Sequence, residues 1–163
     1  MTYVHVVLER SIRNVAVGKI NMMSYEEYEF ECQKQRQRNE KFLEIFEKDL
    51  LSAGLNVNTV RKHLFNVDFY INTYLLREEP LDMERGCIKI DMFLGYYFIH
   101  KCMWSTPGNI KTTAASIKKF YKCMFAHGYN EKNDYKFLCS EIKEGMSEWQ
   151  ADCERFNSGY GYY

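Results

Sequence analysis

A chain of 163 residues can enclose one hydrophobic core, and 46% hydrophobic content with 13 Tyr and 11 Phe argues against a disordered polypeptide. Lys plus Arg equals Asp plus Glu at 22 each, so the chain as a whole has no attraction for nucleic acid or an anionic membrane, and any such binding must come from segregated charge. The longest apolar run, Met92-Phe93-Leu94-Gly95-Tyr96-Tyr97-Phe98-Ile99, is too short to span a bilayer.

Residues 1–23 alternate briefly at Val4, Val6 and Leu8 and then lose any period, which fits a strand, an arm or a disordered leader. They lack the apolar segment of a secretory signal. Cys32, Cys87, Cys102, Cys123, Cys139 and Cys153 occur singly, without a C-x-x-C pair, as free thiols of a reducing compartment do. The expectation is a soluble, cytoplasmic protein.

From Ser24 the period becomes helical. Tyr25, Tyr28, Cys32, Gln35, Asn39, Phe42, Phe46 and Leu50 recur at three- and four-residue steps, with Gly54 as terminator. The front of this helix, residues 24–39, is polar on most sides and is expected to project as an arm or solvated extension. A second helix is predicted from an Asn58 cap, burying Val60, Leu64, Val67, Ile71, Tyr74 and Leu75 before Glu78-Glu79-Pro80 stops it. Residues 80–86 read as a loop. A third helix carries Ile90, Phe93, Leu94, Tyr97, His100 and Met103.

The fourth helix has Thr106 as cap and Pro107 in first position, buries Ile110, Ala114, Ile117, Tyr121 and Met124, and closes at His127-Gly128. A fifth starts near Asn133 or Asp134 and carries Tyr135, Leu138, Ile142, Met146, Trp149, Cys153 and Phe156, leaving 157–163 as a frayed tail. Helices joined by short loops pack as hairpins, so the fold class is an all-α small helical bundle with an extra C-terminal helix, forming a single domain over 24–156. Its predicted core holds Phe46, Leu50, Leu64, Val67, Ile71, Phe93, Ile117, Tyr121 and Met124.

The balanced charge is unevenly spread. Lys101, Lys111, Lys118, Lys119 and Lys122 precede His127 with no Asp or Glu between Lys101 and His127, whereas the first helix is rich in Glu. Lys111, Lys118 and Lys122 fall on one ridge of the fourth helix, near the hydroxyls of Thr112, Thr113 and Ser116. Asn58-Thr59-Val60-Arg61-Lys62-His63 and Ser105-Thr106-Pro107-Gly108-Asn109-Ile110-Lys111 both read as helix starts delivering cations beside free backbone N–H groups, an arrangement suited to phosphates. A lysine ridge on a bundle is ordinarily just a solvated face, and His63 reads equally well as part of the core.

Residues 39–130 resemble the N-terminal core-binding, SAM-like domain of the tyrosine recombinase and phage integrase family. The resemblance runs through Phe42-Leu43-x-x-Phe46 with Leu50 and Gly54-Leu55, then Asn58-Thr59-Val60-Arg61 to Phe69-Tyr70-Ile71-x-x-Tyr74-Leu75, and Ile90-x-x-Phe93-Leu94. It continues in Ser105-Thr106-Pro107-x-x-Ile110-Lys111 and ends in Ala115-Ser116-Ile117-Lys118-Lys119-Phe120-Tyr121-Lys122-x-Met124-x-x-x-Gly128. It implies two crossed helical hairpins closing over one face of duplex DNA, with Thr59, Arg61, Lys62, Lys111, Thr112, Lys118 and Lys122 at the DNA.

The family's catalytic elements are missing. His5, His63, His100 and His127 are followed three residues later by Leu8, Asn66, Met103 and Asn130, so no His-x-x-Arg exists, and Tyr160, Tyr162 and Tyr163 have no arginine cage. No Gly-rich phosphate loop, H-E-x-x-H helix, paired-cysteine zinc site or G-x-S-x-G turn occurs. Glu78-Glu79 and Asp82-x-Glu84 read as solvated. The sequence therefore predicts no catalytic residue, no metal and no cofactor, and a free-standing, catalytically empty DNA-binding relative, an accessory or remnant of a mobile element. The alternative is a helical protein-interaction module, pairing as a homodimer through the C-terminal stripe of Leu138, Ile142, Met146 and Trp149, which must find cover.

Overall fold

A computed structural model describes residues 23–159, in which every regular element is helical. The expectations for residues 1–22 and for the tyrosines at 160, 162 and 163 lie outside the described residues. Helix α1 (Tyr25–Ser52) begins with a reciprocal capping box: the Glu27 N–H donates to the Ser24 hydroxyl at 3.1 Å, and the Ser24 N–H donates to the Glu27 carboxylate at 2.8 Å. It ends before Gly54, whose φ of +85° is readily open only to glycine.

The front of α1 is not a projecting arm. Tyr28 donates its hydroxyl to the Leu76 carbonyl, Arg38 pairs with Glu84, and the buried Asn39 amide donates to the Ile71 carbonyl at 3.3 Å and to Asn72 Oδ1 at 2.8 Å. These bonds let a mostly polar segment dock, and of the predicted stripe only Tyr25 stays largely in solvent.

Helix α2 (Val57–Asp68) starts at an Asn56 cap rather than Asn58. Asn56 is extended, and its side chain accepts the Thr59 N–H at 2.9 Å, which puts Asn58 inside the first turn. The helix runs on as a π-helical segment, Phe69–Tyr74. Part of the expected loop is a 3-10 helix, Met83–Ile88, capped by Asp82. Two buried tyrosines satisfy its carbonyls: Tyr70 donates to Gly86 O at 2.5 Å, and Tyr121 donates to Met83 O.

Helix α3 runs from Ile90 to Lys101 in three pieces, Ile90–Met92, a π-helical Phe93–Tyr97 and Phe98–Lys101. Cys102 is extended and ends it, so Met103 lies beyond the helix and fully exposed, not on its buried face. Helix α4 (Pro107–Ala126) keeps its predicted ends, with Thr106 accepting the Asn109 N–H at 3.0 Å and Gly128 at φ +80°. Helix α5 (Lys132–Asn157) starts before the predicted Asn133 or Asp134, because extended Glu131 takes the cap position.

These elements form an all-α bundle. Of the predicted core residues all are buried except Leu64, which sits half-buried at the edge, and one apolar cluster runs from Phe42 on α1 to Cys153 on α5. Its centre is aromatic, with Phe93 4.7 Å from both Tyr70 and Tyr74. All six cysteines are free, and Cys139 alone among them is not fully buried.

Helix α5 is covered by its own bundle. Trp149 is buried, donates its indole N–H to Asp91 at 2.8 Å, and lies so close to Gly95 and Gly145 that added Cβ atoms would come within 2.8 and 2.3 Å of the ring. Leu138 and Cys153 are buried with it, and Ile142 and Met146 pack half-buried on the core. The uncovered stripe that motivated a homodimer does not exist. Among the described residues no helix is long and apolar enough to cross a membrane.

Candidate nucleic-acid interface

Packing of α2 against α4 brings the two basic helix starts together. Between them runs a groove of about 720 Å³ lined from α2 by Thr59, Arg61, Lys62, His63, Phe65 and Asn66 and from α4 by Asn109, Thr112, Thr113, Ala115 and Ser116, with Phe98 and Trp104 completing it. No carboxylate lines it, and neither helix has an acidic residue in its first turn. Both starts are side-chain capped, by Asn56 and Thr106, which fixes where the remaining first-turn N–H groups lie.

The predicted residues divide into two sets. Thr59, Arg61, Lys62 and Thr112 line the groove, whereas Lys111, Lys118 and Lys122 do not. At about 100° per residue, Thr112, Ser116 and Lys119 share one side of α4, and the Lys111, Lys118 and Lys122 ridge lies roughly a quarter-turn away. All three ridge lysines are exposed. On α4 the lysine turned towards the groove side is Lys119, which does not itself line the groove but whose charge reaches His63. The spacing of Thr112, Ser116 and Lys119 at four and three residues was the signal for it. None of Arg61, Lys62, Lys111, Lys118, Lys119 and Lys122 forms an ion pair among the described residues.

The groove floor is a closed hydrogen-bond network. Buried Ser116 donates its hydroxyl to the Thr112 carbonyl at 3.0 Å and accepts from the Asn66 amide at 3.0 Å, while His63 Nδ1 lies 2.8 Å from the same oxygen. With the only hydroxyl proton committed to Thr112, His63 must be the donor, which fixes its Nδ1–H tautomer. Burial and then Lys119 push the His63 pKa below its ordinary value, so the ring is neutral at neutral pH. His63 therefore adds no charge. It ties the groove to the core through an edge contact with Phe46, and the Ser116–His63 pair cannot act as nucleophile and base in this arrangement.

The other flank of α2 has the opposite sign. Glu40, Glu44, Glu47 and Asp68, with Arg36 the only cation among them, line a second groove of about 580 Å³ between α1 and α2. Phe65, 62% exposed, stands on the crest between the two grooves. The chain matches no protein-family model, no curated protein and no solved structure.

Proposed function

We propose that the protein is a non-catalytic DNA-binding module that holds the backbone of duplex DNA in the α2–α4 groove. The observation that carries this reading is the meeting of two capped helix starts, free of acidic residues, in one groove without a carboxylate. Arg61, Lys62 and Lys119 supply charge, Thr59 and Thr112 supply hydroxyls, and Lys111, Lys118 and Lys122 extend the cationic surface around α4. The resemblance to the core-binding domain of tyrosine recombinases agrees with it. A protein-interaction reading draws its support from Phe65 and Trp104, exposed by 62% and 48% at the same groove.

Salt-dependent titration with duplex DNA tests the proposal. Each phosphate neutralised contributes close to one unit of slope in log affinity against log salt, so changing Arg61, Lys62 and Lys119 together to Glu should weaken binding to all duplexes alike and lower the slope by roughly 2 to 3 units. Absence of duplex binding at low salt would refute the reading in favour of protein interaction.

A further inference from the structure

Far from the groove start of α4, its last turn carries Cys123 and its C-cap is His127, at i and i+4, a spacing that sets both side chains on one side of the helix end. Packing of α1 against α4 brings Asp49 to them. Asp49 Oδ2 lies 3.1 Å from Cys123 Sγ and 2.9 Å from His127 Nε2, and the donor atoms of the three residues all lie within 4.8 Å of one another. We propose that Asp49, Cys123 and His127 form a zinc site that joins the ends of α1 and α4.

The donor set decides the metal. A thiolate, an imidazole and a carboxylate suit Zn²⁺, while Mg²⁺ and Ca²⁺ take oxygen ligands. Zinc bonds of about 2.0–2.3 Å in a tetrahedron separate neighbouring donors by roughly 3.4 to 3.6 Å, so Asp49 needs to part from Cys123 and from His127 by only about half an ångström, while the sulfur and the imidazole, already within 4.8 Å of each other, settle to a similar spacing. His127 and Asp49 side chains are 41% and 45% exposed, which gives the ion an entry path and leaves a fourth position for water.

Without metal the trio satisfies itself, with the thiol and the imidazole both donating to one carboxylate oxygen. Burial and the adjoining Asp49 push the Cys123 thiol up to about 12, and hydrogen bonds from Cys123 and His127 hold the Asp49 carboxyl low. A divalent cation reverses this balance. The Cys123 proton leaves to solvent, the imidazole proton moves from Nε2 to Nδ1, and the freed sulfur, nitrogen and oxygen pairs bind the ion. The site leaves little trace in the sequence, because Asp49 lies 74 residues from Cys123 and Cys123-x-x-x-His127 is its only local part.

Titration of the full chain with Co²⁺ under anaerobic conditions tests the proposal, since cobalt reports its ligands by absorption. The expected result is one equivalent bound, a thiolate-to-cobalt charge-transfer band and visible bands of tetrahedral type, all displaced by Zn²⁺. Cys123→Ser should abolish the charge-transfer band, and His127→Ala or Asp49→Asn should weaken binding at least about tenfold, the loss seen even when an outer partner of a ligand is removed. Cys139→Ser should change nothing. The two half-exposed positions keep the test open if Cys123→Ser fails to fold, with circular dichroism reporting the fold of each variant. No charge-transfer band in the native chain, a band that survives Cys123→Ser, or binding indifferent to both His127→Ala and Asp49→Asn overturns the site.

Discussion

Gly86 is held by packing, and replacing it tests how tightly the bundle centre is specified. A Cβ at this position would lie 2.0 Å from the Tyr121 hydroxyl oxygen, 3.0 Å from Leu75 Cδ1 and 3.1 Å from Tyr121 Cζ. Tyr121 is fully buried and edge-packed on Phe120, so its ring has little room to retreat. Gly86→Ala must therefore displace the hydroxyl and break its bond to the Met83 carbonyl. Overpacking costs about 1–3 kcal/mol and an orphaned buried acceptor about 1–3 more, giving roughly 2–6 kcal/mol in all. Tyr121→Phe alone should cost about 1–2 kcal/mol through the unpaired carbonyl. In the double variant the nearest atoms are those at 3.0 and 3.1 Å, which can yield by a few tenths of an ångström. Equilibrium urea unfolding should then give a double-variant loss at least about 1 kcal/mol smaller than the sum of the singles. Strict additivity would refute the clash.

His63 makes stability depend on pH. Its folded pKa lies below the ordinary 6.5, so the unfolded chain binds the proton first, and stability should be level above that value and fall as pH drops through it. Urea midpoints between about pH 7.5 and 5.5 should show this loss, and His63→Gln should reduce it. Lys119→Met should bring the His63 pKa back towards its ordinary value in an NMR titration, because the repelling ammonium is gone. At the α3–α5 contact, Gly145→Ala puts a Cβ 2.3 Å from Trp149 Cζ2 and should cost about 1–3 kcal/mol, read as a lower melting temperature. In a Trp104→Phe background, which isolates Trp149, its fluorescence should shift to the red as the ring loses cover.

Helix existence was legible where the chain carries its own punctuation. Ser24, Thr106 with Pro107, and Gly128 each mark an end by local chemistry alone, and the structure keeps all of them. Asn56 and Asn58 stand two residues apart, and propensity does not choose between them, so the α2 start moved. The π segments escaped notice because their buried positions keep the α-helical pattern: Val67, Tyr70, Ile71, Tyr74 and Leu75 follow the i, i+3, i+4, i+7, i+8 steps of one helix face, so periodicity carries no sign of the wider turn. The arm expected over residues 24–39 docks through Tyr28, Arg38 and Asn39, whose partners lie more than 30 residues away and leave no local trace. At the groove, Arg61, Lys62 and Thr112 were legible because helix starts are local. The spacing of Lys119 with Thr112 and Ser116 places it on one side of α4, but that this side rather than the Lys111 ridge meets α2 is set by tertiary packing, which the spacing alone does not fix.

The two grooves flanking α2 carry opposite charge, with the line of sign change passing near Phe65. A helix with its side chains is about 10–12 Å across, so the flanks are separated by roughly one Debye length at 0.1 M salt, about 10 Å. At physiological ionic strength each flank is thus felt almost independently of the other. A charged surface meeting this protein senses little at a distance and then, within about a nanometre, a sign that depends on the side of approach. Such a molecule gains little long-range steering from electrostatics. Its charges act as an orientation filter at contact, and lowering the salt strengthens attraction on one face of α2 while strengthening repulsion on the other.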